Sequence, residues 1–366
     1  MPRPESLFSL ARRPNHPLSS EGDEEILEAI RSRKTALGPE LVILTHHYQR
    51  PEIVALGDYR GDSLGLAQKA ATLPQARYIV FCGVHFMAES AAILARAHQT
   101  VQIPDLKAGC QMADMVSTEA VELAYQELAE VVPPAGVVPV VYVNSDAELK
   151  AFCGRRGGLT CTSANAREAL KWGLSHGLKV FFFPDQHLGL NTGRQLGLTP
   201  GDMVVWRSEE PLGGNRPQDL RRARLILWDG YCHVHTRFKK EHIRALRKAF
   251  PEARIVVHPE CTAEVVALAD ACGSTGFIVN FVRESPPGST IAIGTEINLV
   301  RRLAQEYPDR LVLDLAYSLC PNMFRITPEK LLKVLDKPGE LQVVTVPDEV
   351  REYARLALTR MLNLTS

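Results

Sequence analysis

A pattern of strands, a hydroxyl-rich turn and a cysteine occurs three times along the chain, and this repeat constrains the fold more than any other feature. Each copy of such a pattern is expected to form one structural unit. In each copy an apolar strand ends in polar residues, a turn with Ser or Thr opens a helix, and a second and a third apolar strand follow. The first strands with their polar ends are 41–48, 140–145 and 254–260, and the cysteines that end the copies are Cys110, Cys232 and Cys320.

The spacings within the three copies agree except at one step. From the strand ends His46, Asn144 and His258 to the hydroxyl residues the spacings are 17, 19 and 16 residues. From the hydroxyl residues Ser63, Ser163 and Ser274 to the ends of the second strands, at 83, 185 and 294, they are 20, 22 and 20 residues. The last step, to the cysteine, takes 27, 47 and 26 residues. The surplus of the middle copy lies in 190–224, whose glycines, prolines and charges predict a loop insertion.

Continuous apolar strands that alternate with helices predict βαβ units and parallel sheets covered on both faces. The fold class is therefore α/β, with three similar small three-layer α/β/α domains whose parallel sheets surround a pseudo-threefold axis. The C-terminal stretch repeats helix, strand and helix, at 328–335, 341–346 and 348–362, and is expected to return to the first domain. The predicted division is a disordered tail at 1–22, a first domain at 23–110 with 321–366, a second at 111–232 with its insertion at about 190–224, and a third at 233–320.

The charge balance excludes several kinds of partner. The 366 residues carry 42 Lys and Arg against 42 Asp and Glu, whereas a nucleic-acid-binding protein usually has a basic surplus. No apolar run approaches the roughly 20 residues of a membrane span, and the first twenty residues lack the apolar core of a secretory signal. We therefore expect a cytoplasmic protein without a nucleic-acid or membrane partner, in which the eight cysteines stay reduced.

Polar side chains lie where the predicted strands end, which is the edge at which open parallel sheets bind ligands. At these strand ends stand His46, His47, Tyr48, Asn144, His258 and Glu260. The hydroxyls of the turns belong to Ser63, Ser163, Ser274 and Thr275. At a helix N-terminus such hydroxyls and the free backbone N–H groups can bind a phosphate or a carboxylate. Each one alone is equally well explained as a helix cap, but their common repeat position favours a shared anion site.

The three cysteines that end the copies would meet if the three domains pack around a common axis. Their thiolates would then provide three soft ligands and leave a fourth coordination position open, which suits zinc or an iron–sulfur cluster. The alternative is a buried cysteine that the copies share and that only packs. Cys82, Cys153 and Cys272 lie in apolar or small-residue runs and are expected to belong to the core.

Eleven short motifs surround these residues. They are HHYQ at 46–49, GDSL at 61–64, GVHFMAE at 83–89, KAGC at 107–110, YVNS at 142–145, CTSANA at 161–166, GYCHVH at 230–235, HPEC at 258–261, GSTG at 273–276, GTE at 294–296 and CPNM at 320–323. In this combination they resemble the quinolinate synthases, from about residue 25 to the C-terminus. The resemblance implies an enzyme of NAD biosynthesis that makes quinolinate from iminoaspartate and dihydroxyacetone phosphate, with a functional link to an aspartate-oxidising enzyme.

The resemblance also implies a cofactor. Members of this family have three similar α/β domains around a 4Fe–4S cluster with three cysteine ligands, which would be Cys110, Cys232 and Cys320 here. The fourth iron site would stay open to substrate. Some members carry a C-x-x-C near the last ligand, but this chain reads AYSLC at 316–320, so a disulfide switch is not expected there.

The roles of the other residues follow from the same resemblance. Tyr48 and Glu260 would be the acid–base groups, with His235 and Asn144 completing the surroundings of the substrate. The phosphate would be bound by Ser163, His258, Ser274 and Thr275, and the dicarboxylate by His46, Ser63 and Tyr142.

Three other functions fit part of the pattern. They are a phosphate- or dicarboxylate-binding protein without chemistry, a cluster-bearing dehydratase with another substrate, and a zinc hydrolase that uses the three thiolates. Glu260 beside His258 argues against the simple binding protein, because a carboxylate at an anion site weakens binding.

Overall fold

The computed structural model describes residues 21–364 and contains three sheets with helices packed on them. The chain divides into two compact units. The first unit takes in the described residues up to Gly109, Arg237–His258 and Glu264–Thr345, and the second takes in Cys110–Thr236, Pro259–Ala263 and the chain from Val346 on. Within residues 21–364, no helix has the length and apolar character needed to cross a membrane.

The first sheet lies in the first unit and has the strand order β2-β1-β3-β4, with every pair parallel. Its strands are β1 (Leu41–His46), β2 (Tyr59–Gly61), β3 (Tyr78–Cys82) and β4 (Thr100–Gln102). The accompanying helices are α1 (Glu21–Leu37), α2 (Pro51–Leu56), α3 (Ser63–Ala71) and α4 (His85–Leu94). Most of the tail predicted at 1–22 lies outside the described residues, and α1 begins at Glu21.

The middle sheet lies in the second unit and has five parallel strands in the order β6-β5-β7-β9-β8. The strands are β5 (Val137–Tyr142), β6 (Leu159–Cys161), β7 (Lys179–Phe183), β8 (Met203–Trp206) and β9 (Leu225–Trp228). The helices are α5 (Thr118–Ala129), α6 (Ala147–Arg155), α7 (Ala166–His176), α8 (Gln186–Gln195), α9 (Pro217–Arg222) and α10 (His233–Thr236).

The prediction of a loop at 190–224 was wrong. This stretch contains the end of α8, the additional edge strand β8 and the helix α9. Met203 and Trp206 are buried at the two ends of β8, so this short apolar run gains its stability by packing beside β9. Because glycines and charged residues are frequent in this stretch, its sequence did not indicate the four-residue strand β8.

The third sheet lies in the first unit and has the order β11-β10-β12-β13, the same topology as the first sheet. Its strands are β10 (Arg254–Val257), β11 (Ala271–Cys272), β12 (Thr290–Gly294) and β13 (Leu311–Asp314). The remaining helices are α11 (Lys240–Ala249), α12 (Ala263–Leu268), α13 (Thr275–Glu284), α14 (Ile297–Glu306), α15 (Pro328–Leu335) and α16 (Asp348–Asn363). The predicted α/β class with three similar parallel sheets is therefore confirmed.

The three cysteines Cys110, Cys232 and Cys320 occupy the same position in each copy of this topology. The carbonyl two residues before each cysteine accepts the N–H of the first residue of the helix after the second strand. These bonds join His85 to Ala108 at 2.7 Å, Gln186 to Gly230 at 2.9 Å and Ile297 to Ser318 at 2.8 Å. Eight residues after each cysteine a helix begins, at Thr118, Lys240 and Pro328. The cysteine loops are thus equivalent in backbone structure as well as in sequence.

The C-terminal stretch is divided between two partners. Helix α15 packs on α1 in the first unit, and the predicted strand at 341–346 is reduced to one bridge between Gln102 and Val343. Helix α16 belongs to the second unit, whereas the sequence predicted that this stretch returns to the first domain. It lies against α6 in the second unit, where Arg360 donates to the carbonyl of Gly158 at 2.6 Å. Its buried face, with Ala354, Ala357, Leu358 and Met361, finds an apolar partner there.

We expect Gly154→Ala to lower the thermal stability of the protein strongly. A Cβ atom at Gly154 in α6 would lie 1.9 Å from the carbonyl oxygen of Tyr353 in α16, so the two backbones would have to separate. Overpacking of this kind costs about 1–3 kcal/mol. The matched control is Gly65→Ala in α3, where the nearest atom is a side-chain oxygen of Asp62 at 3.4 Å. A melting temperature that falls equally in both variants, followed by circular dichroism, would contradict the close packing of α6 on α16.

Candidate active site

The candidate residues fall into two sets, one in each unit. The set in the second unit comprises Cys110, Tyr142, Asn144, Ser163, Cys232, His235 and Glu260. The set in the first unit comprises His46, Tyr48, Ser63, His258, Ser274, Thr275 and Cys320. In each unit most of these residues stand on or just after a strand end or at the start of a helix, as the topology of parallel sheets requires.

Glu260 is the centre of the set in the second unit. Its side chain is buried, and it accepts a short hydrogen bond from the hydroxyl of Tyr142 on one oxygen. Its other oxygen lies 2.8 Å from Nδ1 of the buried His235. An ionised Glu260 accepts the Nδ1–H of His235. Three groups that can exchange protons are therefore in direct contact.

The loop that carries Glu260 is fixed by a residue that the sequence analysis missed. Asn191 of α8 is buried and donates to the carbonyls of Pro259 and Cys261, each at 2.8 Å. Because these carbonyls flank Glu260, the amide holds the loop on both sides of the carboxylate. Asp185, at the start of the same helix, is fully buried, and its pKa is raised well above the usual value by burial and then by the charge of Glu260.

Cys232 adjoins this acid–base group. The Sγ of Cys232, a ring nitrogen of His235 and a carboxylate oxygen of Glu260 all lie within 4.8 Å of one another, so together they could hold a metal ion. Cys232 is partly exposed, whereas His235 and Glu260 are buried. A thiolate, an imidazole and a carboxylate form a donor set suited to a soft or borderline metal.

Three other candidates in the second unit stand near the ends of its strands. Asn144 follows β5 and is partly buried, and Cys110 precedes a 3₁₀ helix at Ala113–Met115. Ser163 lies in the turn before α7, whose first residue is Ala166. The cap residue of α7 is Asn165, which accepts the N–H of Thr162 at 2.7 Å. The cap position of this helix is therefore occupied by Asn165 and not by Ser163.

Tyr48 is the centre of the set in the first unit. Its hydroxyl lies 2.7 Å from Oγ1 of Thr295 and accepts a hydrogen bond from Oγ1 of Thr275 at 3.1 Å. Thr295 follows β12 of the third sheet, and Thr275 is the first residue of α13. Both orient Tyr48, which follows β1 of the first sheet. Thr295 is part of the GTE motif, but its sequence position predicted no role for it.

His46 is held as a neutral donor. Burial, and to a lesser extent the charge of Arg302, lowers the pKa of His46 to about 3. Nδ1 of His46 accepts the backbone N–H of Tyr48 at 3.2 Å, so the proton of the ring is on Nε2. The ring of His47 is oriented by Arg302, which donates to its Nδ1 at 2.9 Å. Arg302 itself pairs with Glu306. The HHY segment thus presents one N–H donor of His46 without a positive charge.

The hydroxyl turns of the first and third sheets lie side by side. Helix α3 is capped by Asp62, which accepts the N–H of Gly65 at 2.9 Å, and not by Ser63. Helix α13 is capped by Ser274, which accepts the N–H of Phe277 at 3.3 Å. A Cβ atom at Gly276 would lie 3.0 Å from a carboxylate oxygen of Asp62, which shows how closely the two turns approach each other. The N-termini of α3 and α13 therefore adjoin, with Ser63 and Thr275 at their first positions.

His258 and Cys320 are the other two candidate residues of the first unit. His258 follows β10, is buried, and donates its backbone N–H to Gly294 at 3.2 Å. Cys320 is partly exposed, and its backbone N–H lies 3.4 Å from a carboxylate oxygen of Glu296.

The eight cysteines differ in their surroundings. Burial raises the pKa of the thiols of Cys82, Cys153 and Cys161 above the ordinary range, which disfavours the thiolate that binds metal. Cys261 is fully buried, and burial raises the pKa of Cys272, which is partly exposed in β11, to about 12. Cys110, Cys232 and Cys320 are partly exposed. The expectation that Cys82 and Cys153 belong to the core is confirmed.

Buried proton-exchanging side chains at the strand ends of parallel sheets, next to a candidate metal site, define the class: an α/β enzyme that works by proton transfer. Comparison with known proteins identifies the family. The family model described as quinolinate synthetase A protein matches residues 28–363. The chain therefore belongs to the quinolinate synthetase A family.

Individual relatives agree over nearly the whole chain. Quinolinate synthase of Corynebacterium glutamicum is 45% identical over 347 residues, which cover 93% of this chain and 88% of that protein. Quinolinate synthase of a Nocardioides species is 47% identical over 359 residues, covering 95% and 91%. Quinolinate synthase of Streptomyces coelicolor is 46% identical over 355 residues, covering 95% and 90%.

Proposed function

We propose that this chain is a quinolinate synthase that condenses iminoaspartate with dihydroxyacetone phosphate to give quinolinate, phosphate and water. The reaction joins two carbon skeletons, expels phosphate, isomerises a carbonyl, closes a ring and loses two waters. Every step moves protons and no net oxidation is needed, so the enzyme must above all provide acids and bases. The observation that carries the proposal is the buried contact of Glu260 with Tyr142 and His235.

The residues of this chain fit an iron–sulfur cofactor. Soft thiolate donors are the ligands of such clusters, and the three partly exposed cysteines at one repeat position, Cys110, Cys232 and Cys320, provide them. We propose that these three hold a 4Fe–4S cluster whose fourth iron site stays open to substrate. When bound, the cluster supplies a Lewis acid for substrate oxygens.

We propose separate duties for the acid–base residues. Glu260, fixed by Tyr142 and His235, takes up and returns protons from the substrate carbons, and His235 stabilises the carboxylate between transfers. Tyr48 acts on another position of the substrate, with its hydroxyl oriented by Thr275 and Thr295. Two groups in different surroundings allow one to donate while the other accepts.

We propose that the anionic groups of the substrates are bound by neutral donors. The phosphate is assigned to Ser163, His258, Ser274 and Thr275, and the dicarboxylate to His46, Ser63 and Tyr142, with Asn144 beside them. A neutral His46 binds a carboxylate through its Nε2–H without giving up a proton, because the low pKa keeps the ring from charging. The N–H groups at the first turns of α3 and α13 add to this attraction for anions.

The surroundings of the reaction follow from its substrates. Iminoaspartate is short-lived in water, so we propose an aspartate-oxidising enzyme as its source. All eight cysteines are free of disulfides, which suits a reducing compartment, and we place the protein in the cytoplasm.

The test is anaerobic turnover. Brown protein, purified without oxygen, is incubated with iminoaspartate and ¹⁴C-labelled dihydroxyacetone phosphate, and the label is expected in quinolinate with one phosphate released per product. A colourless protein that binds zinc would point to a hydrolase. Brown protein that yields no labelled quinolinate would point to a dehydratase with another substrate.

We also expect activity to be lost in air while the fold persists. A cluster with three ligands and an open iron is accessible to oxidants because it must admit substrate, whereas the hydrogen-bonded sheets need no metal. Activity and the far-UV circular dichroism, followed together after exposure to air, measure the two separately. If both signals decay at one rate, the cluster is a structural element and this part of the proposal fails.

A further inference from the structure

A buried carboxylic acid follows the second strand in both the middle and the third sheet. Asp185 comes two residues after β7, and Glu296 two residues after β12. Each is 0% exposed, and each caps the helix that follows it, α8 or α14. Burying a carboxyl group is costly unless several donors satisfy it, so two acids at one repeat position call for a reason beyond capping.

Glu296 connects three parts of the first unit. One of its oxygens accepts the backbone N–H of Asn298 at 2.7 Å, and the other lies 3.4 Å from the backbone nitrogen of Cys320. The side-chain amide of Asn298 lies 3.4 Å from Glu296 and donates to the carbonyl of Tyr48 at 3.1 Å. The residue before Glu296 is Thr295, which contacts the hydroxyl of Tyr48. A cysteine loop and both ends of Tyr48 are therefore linked to one carboxyl group.

Asp185 repeats the first part of this arrangement in the second unit. Its Oδ1 accepts the N–H of Leu188 at 2.7 Å, and the backbone of Cys232 lies close enough to favour the charged form of the carboxyl group. The helix that it caps carries Asn191, which holds the loop of Glu260. In two repeats, then, one acid contacts the backbone of a candidate cluster ligand and begins the helix whose asparagine holds a candidate acid–base residue.

Three of the other helix caps show that a cap residue does not have to be buried. Asp62, Ser117 and Thr327 each accept an N–H from the first turn of their helices, yet none of them is buried. We propose that Glu296 is a positioning residue, which holds the main chain of the cluster ligand Cys320 and the backbone of Tyr48 in a fixed relation. This inference rests on the proposed function, in which Cys320 binds the cluster and Tyr48 transfers protons.

The test uses Glu296→Gln. Both oxygens of a carboxyl group accept hydrogen bonds, but the nitrogen of an amide accepts none. The amide oxygen of the new glutamine is expected to accept the N–H of Asn298, which forms the shorter bond, so α14 keeps its cap. The N–H of Cys320 then faces the amide nitrogen, which cannot accept it. The matched control is Thr327→Ala, which removes the cap of α15 from the same stretch of chain without touching Cys320.

Two measurements follow. The first is the rate at which an iron chelator removes iron from anaerobically reconstituted protein, and we expect Glu296→Gln to lose iron about tenfold faster than wild type, the usual size of an outer-shell effect. The second is hydrogen exchange of the metal-free protein, in which a peptide ending at Cys320 is expected to exchange faster while peptides of α16 do not change. Thr327→Ala is expected to match wild type in both.

Each outcome decides one claim. Iron release within twofold of wild type, or equal effects in both variants, overturns the positioning role. If Glu296→Gln cannot be loaded with iron, the exchange measurement on the metal-free protein decides alone. If the wild-type protein itself takes up no iron, the proposed cofactor fails. If the wild-type protein binds iron and the Glu296 variant behaves like it, only the positioning role of Glu296 fails.

Discussion

Replacing any one of Cys110, Cys232 and Cys320 by alanine is expected to remove most of the iron and all of the activity. Each of these cysteines stands two residues after a carbonyl that is bonded to the helix following the second strand, and eight residues before the next helix. A cluster with three protein ligands has no replacement when one is lost. Iron and sulfide analysis after anaerobic reconstitution, together with quinolinate formation, measures the effect.

The controls are Cys82→Ala and Cys153→Ala. Both thiols are fully buried and their pKa values are raised by burial, so neither is a ready metal ligand. We expect both variants to keep their iron, with a modest loss of thermal stability from the lost packing. Cys272→Ala, in the short strand β11, is expected to keep its iron as well. Full cluster content in any of the three ligand variants would overturn the ligand assignment.

The repeat was readable from the sequence because parallel strands buried on both faces are continuous apolar runs. Strand β5, with six buried residues, shows this clearly. The insertion was misread because β8 is only four residues long and lies between glycine- and charge-rich segments. The partner of α16 could not be predicted, because its apolar face is compatible with any apolar surface. The close approach at Gly154 and the bond from Arg360 to Gly158 join residues far apart in the chain.

The candidate site was predictable in its residue types but not in its contacts. Strand-end positions indicated Glu260, and the family resemblance added Tyr142 and His235, yet their contacts join residues separated by 118 and by 25 positions. Asn191 and Glu296 were missed for a different reason. An asparagine in a helix and a glutamate before one are ordinary features of a sequence, and only the buried backbone groups that they bind give them a role.

Glu260→Gln is expected to leave the cluster and substrate binding intact and to lower the turnover rate by about 10²–10⁴. The change is nearly isosteric, so lost packing cannot account for an effect of this size. The amide can still accept the hydroxyl of Tyr142 or the Nδ1–H of His235, but it cannot take up a proton. A loss of this magnitude corresponds to about 3–5 kcal/mol of transition-state stabilisation.

The alternative is that Glu260 only orients His235, in which case an amide would replace it with little harm. Rapid quench of Glu260→Gln with both substrates separates the two roles, because an acid–base block lets an early, phosphate-released adduct accumulate. Glu127→Gln is the matched control, since Glu127 binds the backbone of Leu212 and lies outside the candidate residues. Turnover of Glu260→Gln within a few-fold of wild type would leave Glu260 an orienting residue, and Tyr48, whose hydroxyl is set by Thr275 and Thr295, would then carry the proton transfers.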